Sequence, residues 1–208
     1  MRLDAIKLNQ AGFGTSMINS EMTEHEQRGM TAGEIEMSKL MFKDSIDYGR
    51  VRIHKGGLSG LPDLSGNAMT PRGEIYFPIS SYKLDFSMEN TNTKAWFIHE
   101  MTHVWQFQLG YPVVESAAVL AMAGGYIAID KKMAPAYQYN PGAKKDRKQL
   151  YQFNMEQQGE VISDYFRVIF LKDDSIEVDA EAGGSILSEF FREPKNQLLL
   201  PSTRLVRP

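Results

Sequence analysis

With 208 residues, 42% of them apolar and 24% charged, the chain is long enough to build one domain around a real hydrophobic core. A net charge of −3 supplies no basic field for nucleic acid or an anionic membrane, and the densest basic run, "KKDRK" at 144–148, is interrupted by Asp146. The absence of cysteine excludes disulfides, thiolate nucleophiles and Cys-ligated metals.

Residues 1–30 are polar and glycine-containing. Asp4, Lys7 and Asn9 interrupt any run of signal-peptide length, and no stretch approaches the ~18 apolar residues of a membrane span. From Thr31, the spacing of Ile35, Leu40, Met41 and Ile46 predicts a helix that stops at Gly49. "RVRIH" at 50–54 alternates as a half-buried strand does. Residues 55–73 are dense in Gly, Pro, Ser and Asn and form a long loop placed to border or cover a cleft. "EIYFPI" at 74–79 is a short strand that Pro78 ends or marks as an edge. A helix runs from Asn92 to Leu109, capped by Asn92 or Thr93 and ended by Gly110 and Pro112. It is apolar on nearly every face, as a helix at the centre of a domain is. A second apolar helix covers 113–129, loosened at Gly124–Gly125. A third covers 154–171 with Val161, Ile162, Tyr165, Phe166 and Ile169 as its buried stripe, and a short one follows around "SILSEFFRE". The expected fold is α+β and mainly helical, with a small β-sheet upstream of the central helix. It forms a single domain over 1–208 whose core spans about 31–192. No long apolar stripe is left unpaired, which points to a monomer.

The central helix carries His-Glu-x-x-His at 99–103. Residues four apart share a helix face, so His99 and His103 can direct two imidazole nitrogens at one zinc ion. Glu100 projects a step round the helix, where it can take a proton from a metal-activated water. A catalytic zinc needs a third protein ligand. The metzincin pattern requires a glycine three residues, and a histidine six residues, after the second histidine. This chain has Gln106 and Leu109 there. His25 and His54 lie far upstream, and a downstream carboxylate fits better. Glu115, Glu156, Glu160 and Asp164 are available on helices. "GEVISD" sets Glu160 and Asp164 four apart on one face, with Glu156 one turn before them as the alternative ligand. The same acids could also form a solvated face opposite the apolar stripe.

"GEVISD" is similar to the second signature of gluzincin metallopeptidases, in which a Glu ligand is followed one turn later by an Asp. In addition, "NAMTPRGEIYFP", "FIHEMTHVWQ" and "EQQGEVISDYF" together resemble, in the same order, a family of zinc metallopeptidase toxins. These occur as C-terminal extensions of VgrG spike proteins of the bacterial type VI secretion system and as free-standing effectors. The resemblance covers roughly residues 67–166. It implies a zincin-like fold, Zn2+ held by His99, His103 and Glu160, and Glu100 as general base. Asp164 would accept a hydrogen bond from a ligand imidazole, and Gly159 would let the two helices approach. An edge strand at Glu74, Ile75, Tyr76 and Phe77 would pair with an extended peptide or protein substrate. The resemblance further implies production in the cytoplasm without a signal peptide, delivery to the periplasm of target bacteria, a VgrG-type spike or adaptor as carrier, and a cognate immunity protein. An oxyanion-stabilising residue is also expected, with Tyr151, Tyr165 and His54 as candidates. Two other readings stand beside this one. The first is a zincin peptidase with no toxin role. The second is a module whose zinc only stabilises the fold while it sequesters a partner, which a fourth protein ligand would mark.

Overall fold

A computed structural model describes residues 26–58, 66–128, 133–139, 148–176 and 180–202. Helix α1 (Ala32–Phe42) opens on a capping box: the Thr31 side chain accepts from Glu34 N, and the Glu34 carboxylate accepts from Thr31 N. It stops at Lys43, whose φ of 50° breaks the helical path, so the stretch expected to be helical up to Gly49 ends about two turns early. Tyr48–Arg50 form a separate 3-10 turn. Strands β1 (Gln27–Arg28), β2 (Ile53–Lys55) and β3 (Ile75–Phe77) make one sheet in that order, β1 antiparallel and β3 parallel to β2. Ile53, Ile75 and Phe77 are fully buried, while His54 and Tyr76 stack on the opposite face with ring centroids 4.1 Å apart.

Strand β3 is not an open edge. Met69 N donates to Tyr76 O and Tyr76 N donates to Met69 O, so the segment before the turn at Gly73 folds back and closes the side expected to receive substrate. At Tyr76 the backbone groups expected to pair with a peptide are already taken by Met69, and Ile75 N and Phe77 O are taken by the β2 side.

Helix α2 (Thr91–Gln108) is capped by Asn90, whose side chain accepts from Thr93 N. Asn92 and Thr93, the expected caps, lie inside its first turn. Phe97, Ile98, Met101, Val104 and Trp105 are fully buried against Phe42, Phe77, Phe86 and Phe190. The Trp105 indole N–H finds its partner in Pro194 O at 2.7 Å. Helix α3 (Val113–Met122) is shorter than its apolar run, ending where Gly124 takes φ of +72°. Helix α4 (Met155–Phe170) opens on a second capping box, Asn154 with Gln157, and packs Val161, Ile162 and Phe166 into the core beside α2. "SILSEFFRE" is divided at Leu187 between α5 (Ala180–Ile186) and α6 (Ser188–Arg192). The architecture is therefore α+β and mainly helical, with a small three-stranded sheet upstream of α2. Among the described residues no helix is long and apolar enough to cross a membrane.

One buried ion pair ties the sheet to the helices. The Glu34 carboxylate is fully buried and accepts from Arg28 Nη1 and Nη2 (2.8 and 2.7 Å), Thr31 N and Phe86 N (2.9 Å each). Glu34→Ala strands the half-buried guanidinium and two amides, and should reduce unfolding free energy by about 3–5 kcal/mol in chemical denaturation. A loss under about 1 kcal/mol would show that this pair is dispensable.

Candidate metal centre and active site

His99 and His103 lie one turn apart on α2, ring centroids 5.0 Å from each other, both facing α4. The approach of α4 depends on Gly159. A Cβ there would stand 2.6–2.8 Å from three atoms of the His99 ring, closer than any side chain can sit. Just before this contact, Glu156 reaches between the imidazoles. Its Oε2 lies 3.2 Å from His99 Nε2 and 3.1 Å from His103 Nε2. All three side chains are buried, and together they form a donor group able to hold a metal ion.

The structure gives Glu156 the place expected of Glu160. The Glu160 carboxylate lies 3.1 Å from Nδ1 of His99, the nitrogen on the other side of the ring, where it orients the imidazole and does not meet His103. The reason is the crossing of the helices: the first turn of α4 faces both rings, and each later turn moves further from His103. Asp164, one turn beyond Glu160, touches neither ring; its Oδ2 accepts instead from the Tyr139 hydroxyl at 2.5 Å. Glu156, Glu160 and Asp164 do not form the solvated face that the sequence also allowed: Glu156 is 6% exposed, and Glu160 and Asp164 are partly buried against His99 and Tyr139.

Burial lowers the basicity of His99, but hydrogen bonds to Glu156 and Glu160 outweigh it and bring the ring up to about 10. His103 is raised in the same way, burial opposing and Glu156 prevailing. Burial pushes the Glu156 carboxyl up, and the two imidazoles pull it down further, so it stays ionised. The shifts of both imidazoles favour protonated rings, which would supply the positive charge that a cation could supply instead. Glu100 is 4% exposed and accepts a hydrogen bond from Thr70 Oγ1 at 2.6 Å. The Tyr126 hydroxyl donates to Glu156 Oε1 at 2.6 Å, leaving Oε2 to the imidazoles. Tyr137 lies 6.0 Å from the His99 ring, and burial, then Glu156, Glu100 and Glu160, hold its phenol protonated.

These groups line a cavity of about 700 Å³ whose apolar walls include Ala68, Met69, Trp96, Val114, Ala117 and Met133. Residues 67–71 of the Gly/Pro loop border it as expected; the part of that loop at 59–65 lies outside the described residues, as does His25. None of the phenols and imidazoles proposed from sequence for an oxyanion reaches it. Tyr165 packs over Gly183 and Phe191, Tyr151 lines a different cavity beside Leu199, and His54 bonds Glu74 on the sheet. Tyr126 and Tyr137 occupy the wall instead. Tyr126 lies past the end of α3, within the run expected to be helical up to 129, and Tyr137 lies in a turn that no periodicity reveals. Thr70 has no spacing relation to Glu100 that a sequence could show; Gln106, read from sequence only as a departure from the metzincin pattern, stands three residues after His103 and so shares its helix face.

No family model matches the chain. Over 140 residues, 67% of its length, it is 37% identical to the type VI secretion system spike protein VgrG2b of Pseudomonas aeruginosa, and it spans 13% of that protein. The solved effector domain of Pseudomonas aeruginosa VgrG2b is 31% identical, with a TM-score of 0.58 over 84% of this chain and 87% of that one. The chain belongs to the VgrG2b effector-domain family.

Within this VgrG2b-family domain the contact between Gly159 and His99 is the tightest constraint on the site. Gly159→Ala should force α4 and the imidazole apart, lower stability by about 1–3 kcal/mol and shift the His99 ring resonances. Unchanged stability together with unchanged resonances would show that the ring does not rest on that glycine.

Proposed function

We propose that this chain is a zinc-dependent metallopeptidase of zincin type, acting as a type VI secretion effector. The observation that carries the reading is the convergence of His99 Nε2, His103 Nε2 and Glu156 Oε2, beside Glu100, in a peptide-sized cavity. The donor set suits zinc. Donors with bonds of 2.0–2.1 Å to a tetrahedral ion would stand about 3.3 Å apart; the carboxylate oxygen lies 3.1–3.2 Å from each imidazole nitrogen, and all three donor atoms lie within 4.8 Å of one another. The described residues supply three donors and no fourth, which supports an open catalytic position over a zinc that only braces the fold.

When bound, zinc would supply Lewis acidity, lowering the pKa of a water toward ~7 and polarising a carbonyl. The protein's own groups do the rest. Glu100, held by Thr70, takes the proton from the attacking water and can return it to the leaving amine. Tyr126 keeps Glu156 in one orientation, and Tyr137 offers a protonated hydroxyl to developing negative charge. The apolar walls suit an extended peptide with bulky apolar side chains near the scissile bond. Its backbone would lie along residues 67–71 in place of β3. Met69 turns its backbone groups to Tyr76, so by strand alternation those of Ala68 and Thr70 point the other way.

The effector role rests on family membership, since VgrG2b is a type VI secretion spike protein. By that reading the chain travels with a VgrG-type spike or adaptor, acts in the periplasm of a target bacterium, and is neutralised in its producer by a cognate immunity protein.

Glu100→Gln should keep zinc while losing about 10²–10⁴-fold in peptide hydrolysis, whereas Glu156→Ala should lose the metal. Equal toxicity of wild type and Glu100→Gln, each directed to a recipient's periplasm, would rule out hydrolysis as the means of harm. Zinc must also displace the proton that His99 keeps up to about pH 10. Loading the metal-free protein at neutral pH should therefore release at least one proton per ion, and affinity should rise as pH increases. Zinc uptake without acidification of a weakly buffered solution would contradict the protonated cluster.

A further inference from the structure

We propose that Gln106 and Gln158 form a two-amide relay that dedicates Nδ1 of His103 to hydrogen bonding and leaves Nε2 as the only nitrogen available to a metal. This deepens the zinc reading and rests on it for its consequence, though not for the hydrogen-bond chain itself.

The shape of a carboxamide does not reveal which end is oxygen; here the partners do. Gln158 Nε2 lies 2.8 Å from Leu150 O and 2.8 Å from Leu199 O. Backbone carbonyls only accept, so the amide nitrogen must face them and the amide oxygen must point the other way. That oxygen receives Gln106 Nε2 at 2.9 Å, and the same nitrogen also donates to Met155 O at 3.1 Å. Gln106 is thereby fixed with its own oxygen toward His103 Nδ1, 2.9 Å away. An amide oxygen cannot donate, so Nδ1 must carry the hydrogen. Both glutamines are fully buried, which leaves no water to replace a lost partner. Flipping either amide would set oxygen against two carbonyl-type oxygens at once. The orientation of a ligand imidazole on α2 is thus dictated by main-chain carbonyls at 150 and 199, outside α4.

The two imidazoles are held by different chemistry. His99 leans on a carboxylate, Glu160, which carries charge. His103 leans on a neutral amide, which fixes direction without adding a further negative charge beside Glu100 and Glu156. Gln106 and Gln158 are positioning residues: neither reaches the cavity.

The test measures zinc affinity by competition with a chromophoric chelator, and the exchange-protected Nδ1–H of His103 by ¹⁵N-edited NMR, in metal-free and zinc-loaded protein. Gln106→Met matches the side chain's length without an acceptor. It should lose the protected Nδ1–H and bind zinc about 10–100-fold more weakly. Gln106→Glu keeps an acceptor oxygen toward Nδ1 and should bind zinc within a few-fold of wild type, even though its second oxygen must be protonated to face Met155 O and Gln158 Oε1, which makes it harder on the fold than methionine. A purely structural role predicts the reverse order. Gln158→Met frees the Gln106 amide to turn and should give an intermediate loss. The relay is overturned if wild type shows no protected Nδ1–H on His103, or if Gln106→Met binds zinc as tightly as wild type. If wild type takes up no zinc, the metallopeptidase reading fails, while the protected proton in metal-free wild type, lost in Gln106→Met, still decides the relay.

Discussion

The site is governed by one electrostatic requirement: an ionised carboxylate, Glu156, is buried between two imidazoles that must supply positive charge or receive it from an ion. Glu100 and Glu160 add negative charge close by, so the cluster is unbalanced without a cation or bound protons. The surrounding fold serves to keep this arrangement dry and fixed. α2 is buried on almost every face, α4 lies against it at a glycine, and aromatic side chains from the sheet, from α1 and from α6 fill the space behind.

The site is divided between that helix pair and irregular chain. The three donors and Gly159 belong to α2 and α4, whose caps and core contacts leave little freedom. The rest of the cavity wall comes from irregular chain: 67–71 on one side, Tyr126 and Tyr137 on the other. In this chain hydrogen bonds join the two parts at the site, Thr70 to Glu100 and Tyr126 to Glu156, and further along α4, Tyr139 to Asp164.

What the sequence revealed follows from range. His99, Glu100 and His103 were legible because helix periodicity alone sets their mutual geometry, and the helical segments around 31–42, 91–108 and 155–170 were legible from caps and apolar spacing. The choice between Glu156 and Glu160 was not. Both lie on one helix, four residues apart, and only the crossing of α4 over α2 decides which faces Nε2 and which faces Nδ1. The pairing of Met69 with Tyr76 was hidden for the same reason, since a bridge over a Gly/Pro turn leaves no periodic trace. Even so, Gly159 was readable as a point of close approach, and the geometry gives it a specific neighbour, the His99 ring.

The most direct test is a crystal structure of the zinc-loaded protein with anomalous differences measured on both sides of the zinc absorption edge. The account predicts one peak that vanishes below the edge, within bonding distance of His99 Nε2, His103 Nε2 and a single oxygen of Glu156, with the remaining position open to the cavity. A peak bound by Glu160 in place of Glu156, a fourth protein ligand closing the site, or no peak at all would contradict it.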